Sequence, residues 1–434
     1  MSTPDADSRE PPDSSDSPGS FAASVAPDPG ESLAELRGVL RLAGAGIAAA
    51  TTVTEDMHRA ISSKPFRLLA HVPAVDVARR IHDGVRGGVY ACVRGVSRGV
   101  FAVVDGVLAH GGDVLQPRTR LPGPLVGLLQ GVVGDHIARE HNPLASTMQL
   151  RHAGRPLALT REALAAAFPD AGPRPTVLVH GLAADESCWQ LGSNKAWGRP
   201  GLDYGSLLAE RRGVTPLYLR YNSGLRIADN GRALAALLAE LTLAWPVPLQ
   251  HLNLIGHSMG GLVVRSACHH GQLAQAPWTR QVRDIVCLGA PQRGAVLEKF
   301  GAAAVGALAF FDVTAPIARA IDARSAGIKD LRHGTISDPT SHAPTTTASP
   351  EAPREQLLPH ARYHDLAGTL GGPGHPLGWV LGDGLVRPSS ATPSRGHTRP
   401  EVASGSTTRL TGVGHLAMLS HPEVLAWLEA ALGD

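Results

Sequence analysis

A serine, an aspartate and a histidine, each set in a glycine-bounded turn, are the residues of this chain whose types and spacing could do chemistry together. Leu252 to Arg265 reads Leu-Asn-Leu-Ile-Gly-His-Ser-Met-Gly-Gly-Leu-Val-Val-Arg. Its opening is apolar and strand-like, Gly256-His257-Ser258-Met259-Gly260 fits G-x-S-x-G, and Leu262-Val263-Val264 can begin a buried helix. That order is strand, tight turn, helix. So sharp a turn crowds the backbone, and Gly256 and Gly260 supply the missing side chains two residues before and after the serine. The turn is expected to leave Ser258 Oγ exposed at the carboxyl end of a strand, with the next helix aiming its N-terminus at the reacting centre. A glycine-rich turn carrying an idle serine is the bland alternative, and the two flanking elements argue against it.

A serine hydroxyl attacks a carbonyl only when a base takes its proton, and the base needs an acid behind it to fix its tautomer. Both candidates lie downstream. Asp383 sits in Leu381-Gly382-Asp383-Gly384-Leu385-Val386, a loop soon after a strand, and His415 in Thr411-Gly412-Val413-Gly414-His415-Leu416, just after the last strand. Among twenty histidines, His421 precedes Pro422 and reads as a helix-entry residue, while His269 and His270 are expected beyond the serine helix. Of the other carboxylates, Asp312 falls in a helical segment and Asp365 inside a strand. The oxyanion of an acyl-transfer intermediate needs N–H donors, and the Met259 N–H and the Leu182 N–H, after His180-Gly181, are the candidates. His180 itself reads as a brace for that loop.

The elements that must position these residues alternate. A hairpin around His152-Ala153-Gly154-Arg155 opens the series, followed by a buried strand at Pro175 to Val179, a strand at Val214 to Tyr221 and a helix from Ile227 to Leu243. The serine strand and helix come next, then strands at Val282 to Leu288, Ala361 to Leu366 and Ser406 to Leu410, and a closing helix from Pro422. Such alternation predicts a mainly parallel sheet with helices on both faces. This catalytic region is drawn at 147–434. Within it, 295–358 is expected to form a lid and loop, with Phe300, Phe310 and Phe311 as lid or acyl-pocket wall.

Upstream, 31–146 is read as a helical region. Leu33, Leu36, Leu40, Ala43, Ile47, Ala50, Met57 and Ile61 make one stripe, Val85 to Val107 a second, with Arg86, Arg94 and Arg98 on another face, and Leu125 to Ala138 a third helix. Two roles fit: packing against the catalytic region, or peripheral contact with a membrane surface, valines in the acyl boundary and arginines among headgroups. The first thirty residues, acidic at the start and rich in Ser and Pro, read as a disordered tail without the basic start and apolar run of a secretory signal.

Composition bounds the partners. Forty basic residues against thirty-eight acidic give a net charge of +2, which offers no electrostatic footprint for nucleic acid. A hydrophobic content of 43% supports a real core, and no stretch offers about eighteen uninterrupted apolar residues. Cys92, Cys188, Cys268 and Cys287 are scattered without metal-ligand spacing and read as free thiols, with the cytoplasm as the expected address.

These residues resemble the α/β-hydrolase fold and, within it, bacterial lipases and esterases, including those related to the inositol-deacylase-like lipases. The resemblance rests on Val179-His180-Gly181, Gly256-His257-Ser258-Met259-Gly260-Gly261, Gly289-Ala290-Pro291-Gln292-Arg293-Gly294, Gly382-Asp383-Gly384 and Gly414-His415. It implies Ser258 as nucleophile, Asp383 as acid partner and His415 as base. The Gly-Ala-Pro turn, similar to the Gly-Thr-Pro turn of lipases, points to acyl-lipid esters. No cofactor or metal is implied: the disulfide and calcium site of many secreted lipases have no counterpart, since no cysteine follows Cys287 and no carboxylate cluster lies near the acid and the histidine. The expectation is therefore a carboxylic ester hydrolase acting on small-molecule or lipid esters. An acyltransferase, a thioesterase and a non-catalytic binding protein on the same fold are the rivals.

Overall fold

The computed structural model describes residues 33–48, 123–293, 325–337, 357–370, 382–392 and 405–433, with isolated helical positions between 51 and 106. The tail before 33, most of the 85–107 stripe, and Phe300, Phe310, Phe311 and Asp312 of the expected lid lie outside the described residues.

The apolar runs form the sheet. Its strands are β1 (Gln149–His152), β2 (Arg155–Pro156), β3 (Pro175–Val179), β4 (Thr215–Arg220), β5 (Leu252–His257), β6 (Val282–Leu288), β7 (Arg362–Thr369) and β8 (Thr407–Thr411). They lie in the order β2-β1-β4-β3-β5-β6-β7-β8. β3 to β8 are mutually parallel, and the β1–β2 hairpin joins antiparallel to β4. Every residue of β3 and β5 is buried, as a central parallel strand covered on both faces requires. At the edge β8 alternates exposed and half-buried residues.

Period-two alternation sorts the core into two layers. Val177, Val179, Leu254 and Ile285 pack on one face with Leu234, Leu238 and Leu241 of the helix Ile227–Ala244 and Leu262 and Val263 of the helix Met259–Leu273. Leu178, Ile255, Val286 and Leu366 pack on the other with Tyr204 and Leu208 of the helix Tyr204–Arg212 and Leu425 and Leu428 of the helix Pro422–Ala431. His269 and His270 belong to the last turns of the serine helix, which continues to Leu273 rather than ending before them.

A third apolar cluster lies in the N-terminal region. Residues 33–48 form helix α1, and Gly123–Arg139 form helix α2. Leu128, Leu129, Val132, Val133 and Ile137 of α2 are buried with Leu42 of α1 and Leu144. The packing role would bury the α1 stripe, but Leu36 and Ile47 are 40% and 44% exposed. Small residues face inward instead, because they let the backbone approach. A Cβ on Gly44 would come within 3.0 Å of the Phe101 ring, and one on Gly38 within 2.5 Å of Leu144 Cγ. Charges tie the region to itself. Arg37 and Arg41 both reach Asp105, at 2.8 and 2.6 Å, and hold its carboxyl down at about 2. Arg94, expected among headgroups, pairs with the buried Glu55 at 2.5 Å.

Candidate active site

Ser258 joins β5 to the helix Met259–Leu273 at φ 54° and ψ −124°, a conformation costly for a residue with a Cβ. Packing enforces it. A Cβ on Gly256 would lie 2.5 Å from the Gly260 carbonyl carbon, and one on Gly260 would strike the carbonyl oxygens of Val179 and His180. Gly261 is equally constrained, 2.7 Å from Ala290 Cβ, a need that the five-residue pattern does not reveal. The Ser258 N–H donates to Leu288 O at 2.8 Å and so anchors the turn to β6. The expectation of an exposed Ser258 is corrected: the residue is only 3% exposed. The loop after β3 lies against it, such that a Cβ on Gly181 would be 3.1 Å from Ser258 Cβ.

Asp383 and His415 come from loops beyond the ends of β7 and β8 and meet directly. His415 Nδ1 donates to Asp383 Oδ2 at 2.7 Å, with the two side chains 4% and 1% exposed. A carboxylate only accepts, so the proton sits on Nδ1 and Nε2 carries the lone pair of the neutral ring. The acid is itself held. Asp383 Oδ1 accepts the Leu385 and Val386 N–H groups at 2.9 and 2.7 Å, and the His415 N–H returns to Asp383 O at 2.9 Å. Positive φ at Gly382 and Gly384, 59° and 102°, folds the loop back so that this can happen.

Gly289 and His257 connect this pair to the serine turn. A Cβ on Gly289 would lie 3.3 Å from Asp383 Oδ2 and from His415 Cε1 and Nδ1, and Gly289 directly follows Leu288, the acceptor of the Ser258 N–H. His257 Nε2 donates to His415 O at 3.1 Å, with the two rings 4.8 Å apart. Burial, with the neighbouring His415 next, lowers the His257 pKa to about 3, so its ring is neutral. Sequence reasoning gave His257 no role; its place one residue before the serine, with opposite strand parity, was the available signal.

The loop after β3 carries Leu182. The His180 ring stacks on Tyr221 at 4.3 Å, its Nδ1 donates to Gly181 O at 2.9 Å, and the Tyr221 hydroxyl donates to His180 O at 2.8 Å. Full burial lowers the His180 pKa. The Leu182 and Met259 N–H groups have no hydrogen-bond partner among the described residues. Farther along, Arg220 of β4 binds Asp185 at 3.0 Å and Glu186 at 2.6 Å. In the Gly-Ala-Pro turn, Gln292 takes a hydrogen bond from Arg265 and gives one to Asp365, while its N–H reaches Ser390 O at 3.0 Å. Asp365, weighed as an acid, thus braces that turn from inside β7. Among the described residues no three or more His, Cys, Asp or Glu side chains are grouped to hold a metal.

The family model of the PGAP1-like alpha/beta domain matches residues 245–304, the segment from the end of the helix before β5 through the Gly-Ala-Pro turn. No curated protein matches the sequence. Among solved structures, the mature lipase BlEst2 of Bacillus licheniformis is 20% identical over 59% of this chain and 91% of its own, with a TM-score of 0.38. A lipase-esterase related protein of Clostridium acetobutylicum is 13% identical over 60% and 95%, TM-score 0.34. Naproxen esterase of Bacillus subtilis is 14% identical over 61% and 84%, TM-score 0.33. The strand order, the serine turn and the match at 245–304 identify the α/β-hydrolase fold, with a PGAP1-like α/β segment around Ser258.

Proposed function

We propose that this protein is a serine hydrolase of carboxylic esters. The observation that carries the reading is the 2.7 Å contact of His415 Nδ1 with Asp383 Oδ2, made beside a strained serine turn at the carboxyl end of a parallel sheet. Ser258 Oγ attacks the ester carbonyl while His415 Nε2 takes its proton, and Asp383 stabilises the imidazolium. The Leu182 and Met259 N–H groups receive the oxyanion; removing one such donor typically costs about 3 kcal/mol of transition-state stabilisation. Collapse breaks the bond to the alkoxide, which leaves with the proton from His415. Water, deprotonated by the same imidazole, then attacks the acyl-enzyme, and the proton returns to Ser258 as the acid departs.

Acyl-lipid esters are the proposed substrates, on the likeness of the Gly-Ala-Pro turn to that of lipases. A cytoplasmic address is proposed on the scattered spacing of the cysteines, of which Cys188, Cys268 and Cys287 are buried. Peripheral membrane contact would draw on Leu36 and Ile47, exposed on α1. A chromogenic ester panel from acetyl to palmitoyl, run on wild type and Ser258→Ala, tests the reading. Turnover abolished by the substitution supports it; turnover that survives removes Ser258 as nucleophile. Turnover of thioesters alone would favour the thioesterase, and acyl transfer to an added alcohol in preference to water the transferase.

A further inference from the structure

The loop carrying Leu182 does not support itself. Ala183, the next residue, stands at φ 58°, the left-handed region that L-residues with a Cβ avoid. A single hydrogen bond from outside the loop engages its N–H: Ala183 N–H donates to Ser223 Oγ at 3.0 Å. Ser223 is fully buried and lies just beyond β4, so the bond spans two crossover loops of the sheet.

Ser223 is in turn held by α2. Asn222 Nδ2 donates to Gly134 O at 2.9 Å, and the Gly224 N–H closes back on Asn222 Oδ1 at 3.0 Å. A Cβ on Gly224 would meet Gly134 Cα at 2.7 Å. The same helix bears on the Leu182 loop itself. A Cβ on Gly131 would come to 2.5 Å from Ala183 Cβ and 2.6 Å from Ala183 Cα, and one on Gly127 to 2.6 Å from the Ala184 carbonyl. Gly127, Gly131 and Gly134 follow the i, i+4, i+7 spacing of one helix face. The other face of α2 is buried with Leu42 and Leu144, which presses the glycine face inward. Ser325 Oγ, donating to Gly131 O at 2.7 Å, pins the helix from a third segment.

We propose that Ser223 is a positioning residue for the oxyanion donor of Leu182, and that the glycine face of α2, from outside the expected catalytic region, is the wall that keeps the donor aimed. This rests on the serine-hydrolase reading. The donor lies one peptide from a strained residue whose conformation Ser223 and α2 jointly enforce, and misplacement of a catalytic group by about 1 Å can cost about a hundredfold in rate.

The test compares Ser223→Thr with Ser223→Val in the full chain, a pair of nearly equal volume that differ in the hydroxyl. The expected result, with both variants assayed well below their melting temperatures, is that Val lowers kcat about 10- to 100-fold relative to Thr, with KM within about twofold and an unshifted pH profile of kcat/KM. Equal kcat values for the two would overturn the assignment of Ser223. Gly131→Ala, assayed well below its own melting temperature, gives an independent arm: a kcat reduced about tenfold or more supports the wall, and a wild-type kcat overturns it. Ser258→Ala, run beside them, separates the failures. Activity surviving that change sinks the serine-hydrolase reading itself, whereas its loss together with normal Ser223 and Gly131 variants sinks this inference alone.

Discussion

His257 reaches across the serine turn to hold the loop of the candidate base: its Nε2 donates to the His415 carbonyl oxygen at 3.1 Å. The two histidines do different work. One presents its side chain to Asp383, and the other secures the backbone that carries it.

Replacing His257 by Phe keeps a ring in the site but removes the donor, leaving the His415 carbonyl unpaired. The expected cost is about 1–3 kcal/mol of stability, with kcat reduced about tenfold as the His415 loop loosens. Denaturant titration and steady-state kinetics check this together; a wild-type kcat in the Phe variant would show the tether to be dispensable.

His257 also predicts a pH dependence of stability. Its folded value of about 3 lies below the ordinary 6.5, so between those values the unfolded chain binds a proton that the folded chain refuses. Stability should therefore be full above about pH 6.5 and fall as the solution is acidified toward 3. For this buried group the loss between pH 6.5 and 5 is about 2 kcal/mol. His251, lowered to about 4 by burial and by Arg283, adds in the same direction. Urea midpoints from pH 7 to 5 should decline, and the slope should be shallower in the His257→Phe variant.

Asp383→Asn keeps the shape of the acid and removes its charge. Since Leu385 and Val386 donate to Oδ1, the amide oxygen is retained there and the amide nitrogen turns toward His415, which favours the wrong tautomer. A fall in kcat of about 10³- to 10⁴-fold with little change in KM is expected. A fall of less than tenfold would show that the acid is another residue.

Gly260→Ala should damage folding more than chemistry. The added methyl would run into the carbonyl oxygens of Val179 and His180, backbone atoms of a central strand and its loop that cannot rotate away. Overpacking of this kind costs about 3 kcal/mol, to be read as a lowered denaturation midpoint. An unchanged midpoint would mean that the turn has slack.

The local rules of the chain made much of this legible in advance. Alternation and apolar runs located β3, β5 and β6 closely, because a central parallel strand must be apolar on both faces. The glycines around Ser258 announced a sharp turn, because a Cβ at 256 or 260 has nowhere to go. Asp383 and His415 could be named from their glycine-bounded loops and the chain order of the family resembled. Their contact could not, since it depends on two separate loops returning over the ends of β7 and β8.

What only tertiary structure decided lies wherever distant segments share a surface. The buried face of α1 is its glycine side, because helices that approach closely select small residues over large ones. Ser258 is covered because the Gly181 loop packs on it. Ser223, His257 and the glycine face of α2 carry no motif of their own; each matters through a partner 40 to 158 positions away in the chain. Sequence patterns register the constraints a residue meets within a few positions of itself, whereas the aim of an N–H or an imidazole is set by whichever remote backbone folding lays beside it.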